Sequence, residues 1–212
     1  MNSLIDKKEF QKALLDGREF LRLSVEEEVG YMEFGCGSGD VLLAAREAIG
    51  AGISNYAAFD SFQGLPKPSE QDSKGLFREG QFSFSQNEFL DNLTIHGFPM
   101  DKLDVYAGFF DATFPVAVDS IKKKNFKFFV FDCDLYSSTK EALEFFVDFF
   151  KKECIVVFDD WFSVQAINEY SGQAKAFYEF MEKHSDTLFV EWIGTYDYYG
   201  RLAGKYYHVE KI

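Results

Sequence analysis

The stretch Val29-Gly30-Tyr31-Met32-Glu33-Phe34-Gly35-Cys36-Gly37-Ser38-Gly39, continued by Asp40 to Ile49, decides the fold. Its first residues read as a short buried strand, its glycines as a tight turn, and the Leu- and Ala-rich segment after them as a helix. The alternation continues. Asn55 to Asp60, Leu103 to Ala107, Phe126 to Asp132 and Cys154 to Phe158 read as further strands. Ser85-Gln86-Asn87-Glu88 is a capping box that predicts a helix to about His96, and Ser138-Thr139-Lys140-Glu141 predicts a second, to about Phe150. A further helix is predicted from about Gln173 to His184. Uninterrupted apolar strands separated by helices predict an α/β, doubly wound domain with a mostly parallel sheet covered on both faces. Leu188 to Ile193 and Lys205 to Val209 have no crossover helix between them, which predicts a C-terminal antiparallel hairpin on one side of the sheet. Phe10, Leu14 and Leu21 share one helix face, so residues 1–27 read as a helical extension of a single domain spanning 1–212.

Composition agrees with one compact domain. The 212 residues are 47% hydrophobic and 27% charged, enough to build a core beneath a solvated surface. A net charge of −13, from 35 acidic against 22 basic residues, argues against nucleic acid and against an anionic membrane surface as partners. The N-terminus shows no signal-peptide pattern, and the apolar runs are far shorter than a membrane helix needs. A cytoplasmic location is the expectation. Cys36, Cys133 and Cys154 are widely spaced in apolar surroundings and read as buried thiols rather than a disulfide or metal set. His96, His184 and His208 read as surface or capping residues, and Phe145, Phe146, Phe149 and Phe150 as core or an oligomer face.

In open parallel sheets ligands bind beyond the carboxyl ends of the strands, so polar residues there carry the functional signal. Gly35 and Gly37 let backbone approach a ligand at a helix N-terminus, and Glu33 just before them suits an amino group better than a pyrophosphate. The competing reading is a tight turn alone. Asp60, at the second strand end, can accept from ribose hydroxyls while Phe62 packs on a base, or Asp60 can simply cap a turn. Together the two ends describe a site for a nucleoside with a zwitterionic group, as in S-adenosylmethionine. Asp132 with Asp134, and Asp159 with Asp160, end two further strands; close together they would repel unless a hard divalent cation such as Mg²⁺ joined them. Helix capping is the alternative for these acids too.

At these residues the chain resembles the macrocin-type O-methyltransferases, which use S-adenosylmethionine and a metal to methylate sugar hydroxyls. The resemblance rests on Glu33-Phe34-Gly35, Phe59-Asp60-Ser61-Phe62-Gln63-Gly64-Leu65-Pro66, Gly80-Gln81-Phe82, Gly108 to Pro115, Asp132 to Thr139 and Val157-Phe158-Asp159-Asp160-Trp161, and it covers roughly residues 28 to 184. It implies a Rossmann-like class I methyltransferase sheet. It further implies that Asp132, Asp159 and Asp160 hold the metal, that Asp134 is the general base, and that Glu33, Gly35, Asp60, Ser61 and Asp111 line the cofactor site. The acceptor would be a small sugar-like molecule. The chain departs from the family pattern at Lys151-Lys152-Glu153, where a Pro-Gly-Gly-type turn is usual, and its hairpin tyrosines Tyr196, Tyr198, Tyr199, Tyr206 and Tyr207 have no counterpart.

The rival readings are an NAD-dependent oxidoreductase, disfavoured by the G-x-G-x-G spacing, and a non-catalytic cofactor-binding or interaction protein. The long segment Ser61 to Gly80, with Gln81 and Phe82, reads either as a lid or as a surface excursion. Trp161 and Phe162 read either as a wall of the acceptor pocket or as core.

Overall fold

A computed structural model describes residues 7–24, 26–72, 76–162 and 170–212. The first residues of the N-terminal extension and positions 73–75 of the long loop lie outside the described residues. The chain runs α1 (Lys8–Phe20), β1 (Val29–Phe34), α2 (Asp40–Ile49), β2 (Ile53–Asp60), α3 (Gln86–Ile95), β3 (Leu103–Ala107), α4 (Phe110–Ile121), β4 (Phe126–Phe131), α5 (Tyr136–Phe146), β5 (Glu153–Phe158), α6 (Gly172–Lys183), β6 (Leu188–Tyr198) and β7 (Arg201–Lys211). The sheet has the strand order β3-β2-β1-β4-β5-β7-β6. β1 to β5 are parallel, and β7 joins β5 antiparallel with β6 outside it. The expected sheet and hairpin are both present. The hairpin strands are longer than expected and meet at Tyr199 and Gly200, both with positive φ, the backbone that a tight hairpin turn requires.

Two local expectations need correction, and one helix was not expected. α4 has no clear signal in the sequence, because Pro115 interrupts it and Thr113, Val116 and Val118 are poor helix formers. The capping box Ser138-Thr139-Lys140-Glu141 does not start α5, which begins at Tyr136 and has ended by Phe146. One of its orphan amides is met from a distance instead: Asp72, in the long loop, accepts from Ser137 N at 3.1 Å and also from the Ser137 hydroxyl at 2.8 Å. His208 is neither a surface nor a capping residue. It is buried on β7, its Nε2 lying 3.3 Å from Glu153 Oε2. His96 and His184 do follow the ends of α3 and α6, and the three cysteines are free and buried.

The core lies on both faces of the sheet, one side under α1 and α2 and the other under α4, α5 and α6. Phe146, Phe149 and Phe150 belong to it, as does Trp161, so that the core reading holds for both sets. One row of aromatics crosses all five parallel strands: Tyr106, Phe59, Phe34, Phe131 and Phe158, in register. Successive rings stack with centroids 4.5, 5.5, 5.0 and 4.9 Å apart. Such contacts add about 0.5–1.5 kcal/mol each beyond area burial. The row also forms a rigid floor. The residue after each of four of these rings is Asp60, Gly35, Asp132 or Asp159, so one register brings the glycine turn and three carboxylates to one level.

Candidate active site

Above this floor opens a cavity of about 800 Å³. Gly35, Gly37, Asp60, Ser61, Asp111, Asp132, Asp134, Asp159 and Asp160 all line it. Glu33 and Phe62 do not. Glu33 is fully buried behind the turn, with Oε2 accepting from Tyr31 at 2.5 Å and Oε1 unpartnered. Phe62 packs its ring against Phe89, 5.3 Å between centroids.

The glycine turn is required by the neighbouring strand. A Cβ on Gly35 would lie 1.9 Å from the carbonyl oxygen of Asp132, and the residue holds φ +88°. Asp60 ties this turn to its own strand end: Oδ2 accepts from Gly37 N at 2.8 Å and Oδ1 from Phe62 N at 2.7 Å. Burial still holds its carboxyl above the usual range against those two bonds.

Asp134 sits in the left-handed region at φ +55°, in a three-residue turn closed by Leu135 N–H donating to Cys133 O at 2.5 Å. Non-glycine residues so placed cost roughly 1–3 kcal/mol and concentrate where side-chain direction matters. Its own N–H donates to Asp160 Oδ2 at 3.0 Å. Asp160 is fixed further by Gln173, whose Oε1 accepts from Asp160 N at 3.0 Å and whose Nε2 donates to Phe131 O at 3.0 Å. Asp159 turns its Oδ1 toward two phenols, accepting from Tyr196 at 2.5 Å and Tyr198 at 2.6 Å. Lys7, just before α1, reaches the same group: its Nζ lies 3.9 Å from Asp159 Oδ2 and donates to Tyr198 Oη at 3.0 Å.

Charge crowding dominates the electrostatics. Burial, then the charge of Asp159, pushes Asp134 up to about 7. Burial and the neighbouring aspartates hold Asp132 and Asp160 well above the carboxylate range, with Lys7 offsetting part of the effect. Burial also raises Glu33 to about 8, against the Tyr31 hydrogen bond. The strand ends thus meet as the sequence implies, but their oxygens do not form a ready-made shell: among the described residues, no three His, Cys, Asp or Glu side chains are grouped to hold an ion. The donor chemistry of Asp132, Asp159 and Asp160 fits a hard cation, since every ligand offered is a carboxylate oxygen and Lys7 is the one cationic side chain among the described residues that line the cavity. Sequence reading missed Lys7, Gln173 and Asp72, none of which lies in a motif. The hairpin tyrosines were visible only as an unplaced cluster.

A glycine turn and a strand-end aspartate around one cavity, on five parallel strands with an antiparallel pair at the edge, define the class I methyltransferase architecture. The sequence profile of the macrocin O-methyltransferase family, TylF, matches residues 29–197, and the chain belongs to that family and is an O-methyltransferase. The match reaches into β6, beyond the segment that the motifs alone cover. No curated protein matches the chain significantly in sequence. Among solved structures, the O-methyltransferase NovP is similar over 94% of this chain and 77% of its own, at 19% identity and a TM-score of 0.69. CalS11, a calicheamicin methyltransferase, is similar over 95% of this chain and 80% of its own, at 20% identity and a TM-score of 0.66. An O-methyltransferase from Bacillus cereus in complex with SAH is similar over 95% of this chain and 81% of its own, at 13% identity and a TM-score of 0.63. At these identities the likeness carries the fold. No helix among the described residues is long and apolar enough to cross a membrane.

Proposed function

We propose that the chain moves the methyl group of S-adenosylmethionine to a hydroxyl of a sugar or other polyol, with a hard divalent cation such as Mg²⁺ held by Asp132, Asp159 and Asp160. The observation that carries this reading is the shared register that sets Gly35, Asp60, Asp132 and Asp159 around one cavity. The SAH held by the Bacillus cereus protein supports the cofactor, and CalS11, a TDP-rhamnose 3'-O-methyltransferase, supports a sugar acceptor.

In this reading the turn at Gly35 and Gly37 holds the amino-acid end of the cofactor, with the buried Glu33 carboxyl behind it. Asp60 and Ser61 hold the ribose, and Asp111 lies on the adenine side. The oxygen that attacks must lose a proton, and Asp134, raised toward neutrality, is the residue placed to accept it. The strained turn at Asp134 and its hydrogen bond to Asp160 fix the direction in which it points. When bound, the cation supplies charge stabilisation to the oxygen as it becomes an alkoxide. The phenols of Tyr196 and Tyr198 hold Asp159 in place.

Methyl release from S-adenosylmethionine, followed over a panel of glycosides and polyols, tests the metal half of this proposal. A chelator should abolish turnover and Mg²⁺ should restore it. Full activity in the chelator would remove the cation from the account.

A further inference from the structure

Lys7 is the one cationic side chain among the described residues that line the cavity, whereas eight carboxylates line it with Lys7: Asp40, Asp60, Asp111, Asp132, Asp134, Glu141, Asp159 and Asp160. It is not a loose surface group. Its side chain is 10% exposed, its ammonium donates to Tyr198, and it lies 4.3 Å from that ring's centroid. The segment that carries it is fastened to the hairpin: Tyr206 donates to Asp16 Oδ2 at 2.8 Å, and Phe10 meets Tyr196 edge-on at 5.9 Å.

The position of Lys7 matters because of how Asp159 is used. Oδ1 already accepts from two phenols, so Oδ2 is the oxygen left for a cation, and Lys7 Nζ lies 3.9 Å in front of it. A divalent ion taken up by Oδ2 would lie close to that ammonium, and like charges so near one another repel strongly where both side chains are largely shielded from water.

We propose that Lys7 is a built-in competitor for the divalent cation: its ammonium is the counter-charge of Asp159, and metal entry requires it to withdraw. Metal occupancy is thereby coupled to the position of Lys7 at the start of α1. This rests on the carboxylate-held cation proposed above.

Binding of Mn²⁺ to the full chain, read by calorimetry with SAH present, tests the competition without any need for turnover. Lys7→Met should bind Mn²⁺ at least tenfold more tightly than the wild type, and Lys7→Gln should do the same should the methionine variant fold poorly. Lys12→Met, which removes an exposed lysine of α1, should change the affinity less than twofold. In the wild type, amides of the first turn of α1 should exchange faster once Mn²⁺ is added. Equal or weaker binding by both Lys7 variants, or an equal gain from Lys12→Met, would overturn the competition while leaving the cation site standing. Absence of Mn²⁺ binding in every form would overturn both.

Discussion

Asp60 shows how much one side chain at a strand end can determine. Its two oxygens join the glycine turn to the start of the long loop, so it shapes the cofactor pocket before any ligand arrives. Hydrogen bonds to a charged group are worth about 1.5–3 kcal/mol each and both are lost on truncation, but the burial that raises the Asp60 carboxyl offsets part of that gain. Asp60→Ala should therefore weaken SAH binding at least tenfold and lower stability by about 2 kcal/mol, measured by calorimetry and denaturant unfolding. Unchanged SAH affinity would show that the ribose lies elsewhere. The motif containing Asp60 was legible in the sequence, and so was the acidity of Asp132, Asp134, Asp159 and Asp160. The partners of these acids were not legible, because Lys7, Gln173 and Tyr196 come from segments far apart in the chain and only tertiary packing brings them to the cluster.

At the scale of elements, the strands were easier to read than the helices. β1, β4 and β5 are buried on both faces and are written as nearly continuous apolar runs, whereas the edge strand β3 is only half-buried. α4 and α5 were harder, since a proline interrupts one and the other takes its cap from a loop more than sixty residues upstream. That cap also bears on the lid question. The neck of the long loop is closed by Leu65 N donating to Gln81 O at 2.8 Å and Gly80 N donating to Leu65 O at 2.9 Å. Its tip is latched by the buried Asp72 to the first turn of α5, a few residues from Asp134. Leu65, Pro66 and Phe82 of this loop line the cavity, so its described part is a pinned wall rather than a free excursion. Asp72→Ala should leave the fold intact but release the wall. Limited proteolysis between Pro66 and Leu76 should accelerate several-fold, and the apparent KM for the cofactor should rise more than kcat falls. An unchanged cleavage rate would mean that the latch does not hold the loop.

Across the whole molecule, the net charge of −13 acquires a centre. Glu33, Asp132, Asp134 and Asp160 all bind protons more tightly in the folded chain than when unfolded. The folded state therefore holds more protons as pH rises from the ordinary carboxylate range toward 8, and stability falls across that window. In a chelator, Tm should drop between pH 5 and pH 8, and Mg²⁺ should raise Tm more at pH 8 than at pH 5. A Tm that is flat with pH and indifferent to Mg²⁺ would contradict this picture of the cluster. The aromatic richness also has a place: the stacked row from Tyr106 to Phe158 sets the level at which the functional residues begin. The most direct test of the central claim is a crystal structure with SAH and Mn²⁺, the ion located by its anomalous signal. The account predicts SAH along Gly35, Gly37 and Asp60, with the anomalous peak among Asp132, Asp159 and Asp160. A nucleoside bound elsewhere, or no peak at those carboxylates, would contradict it.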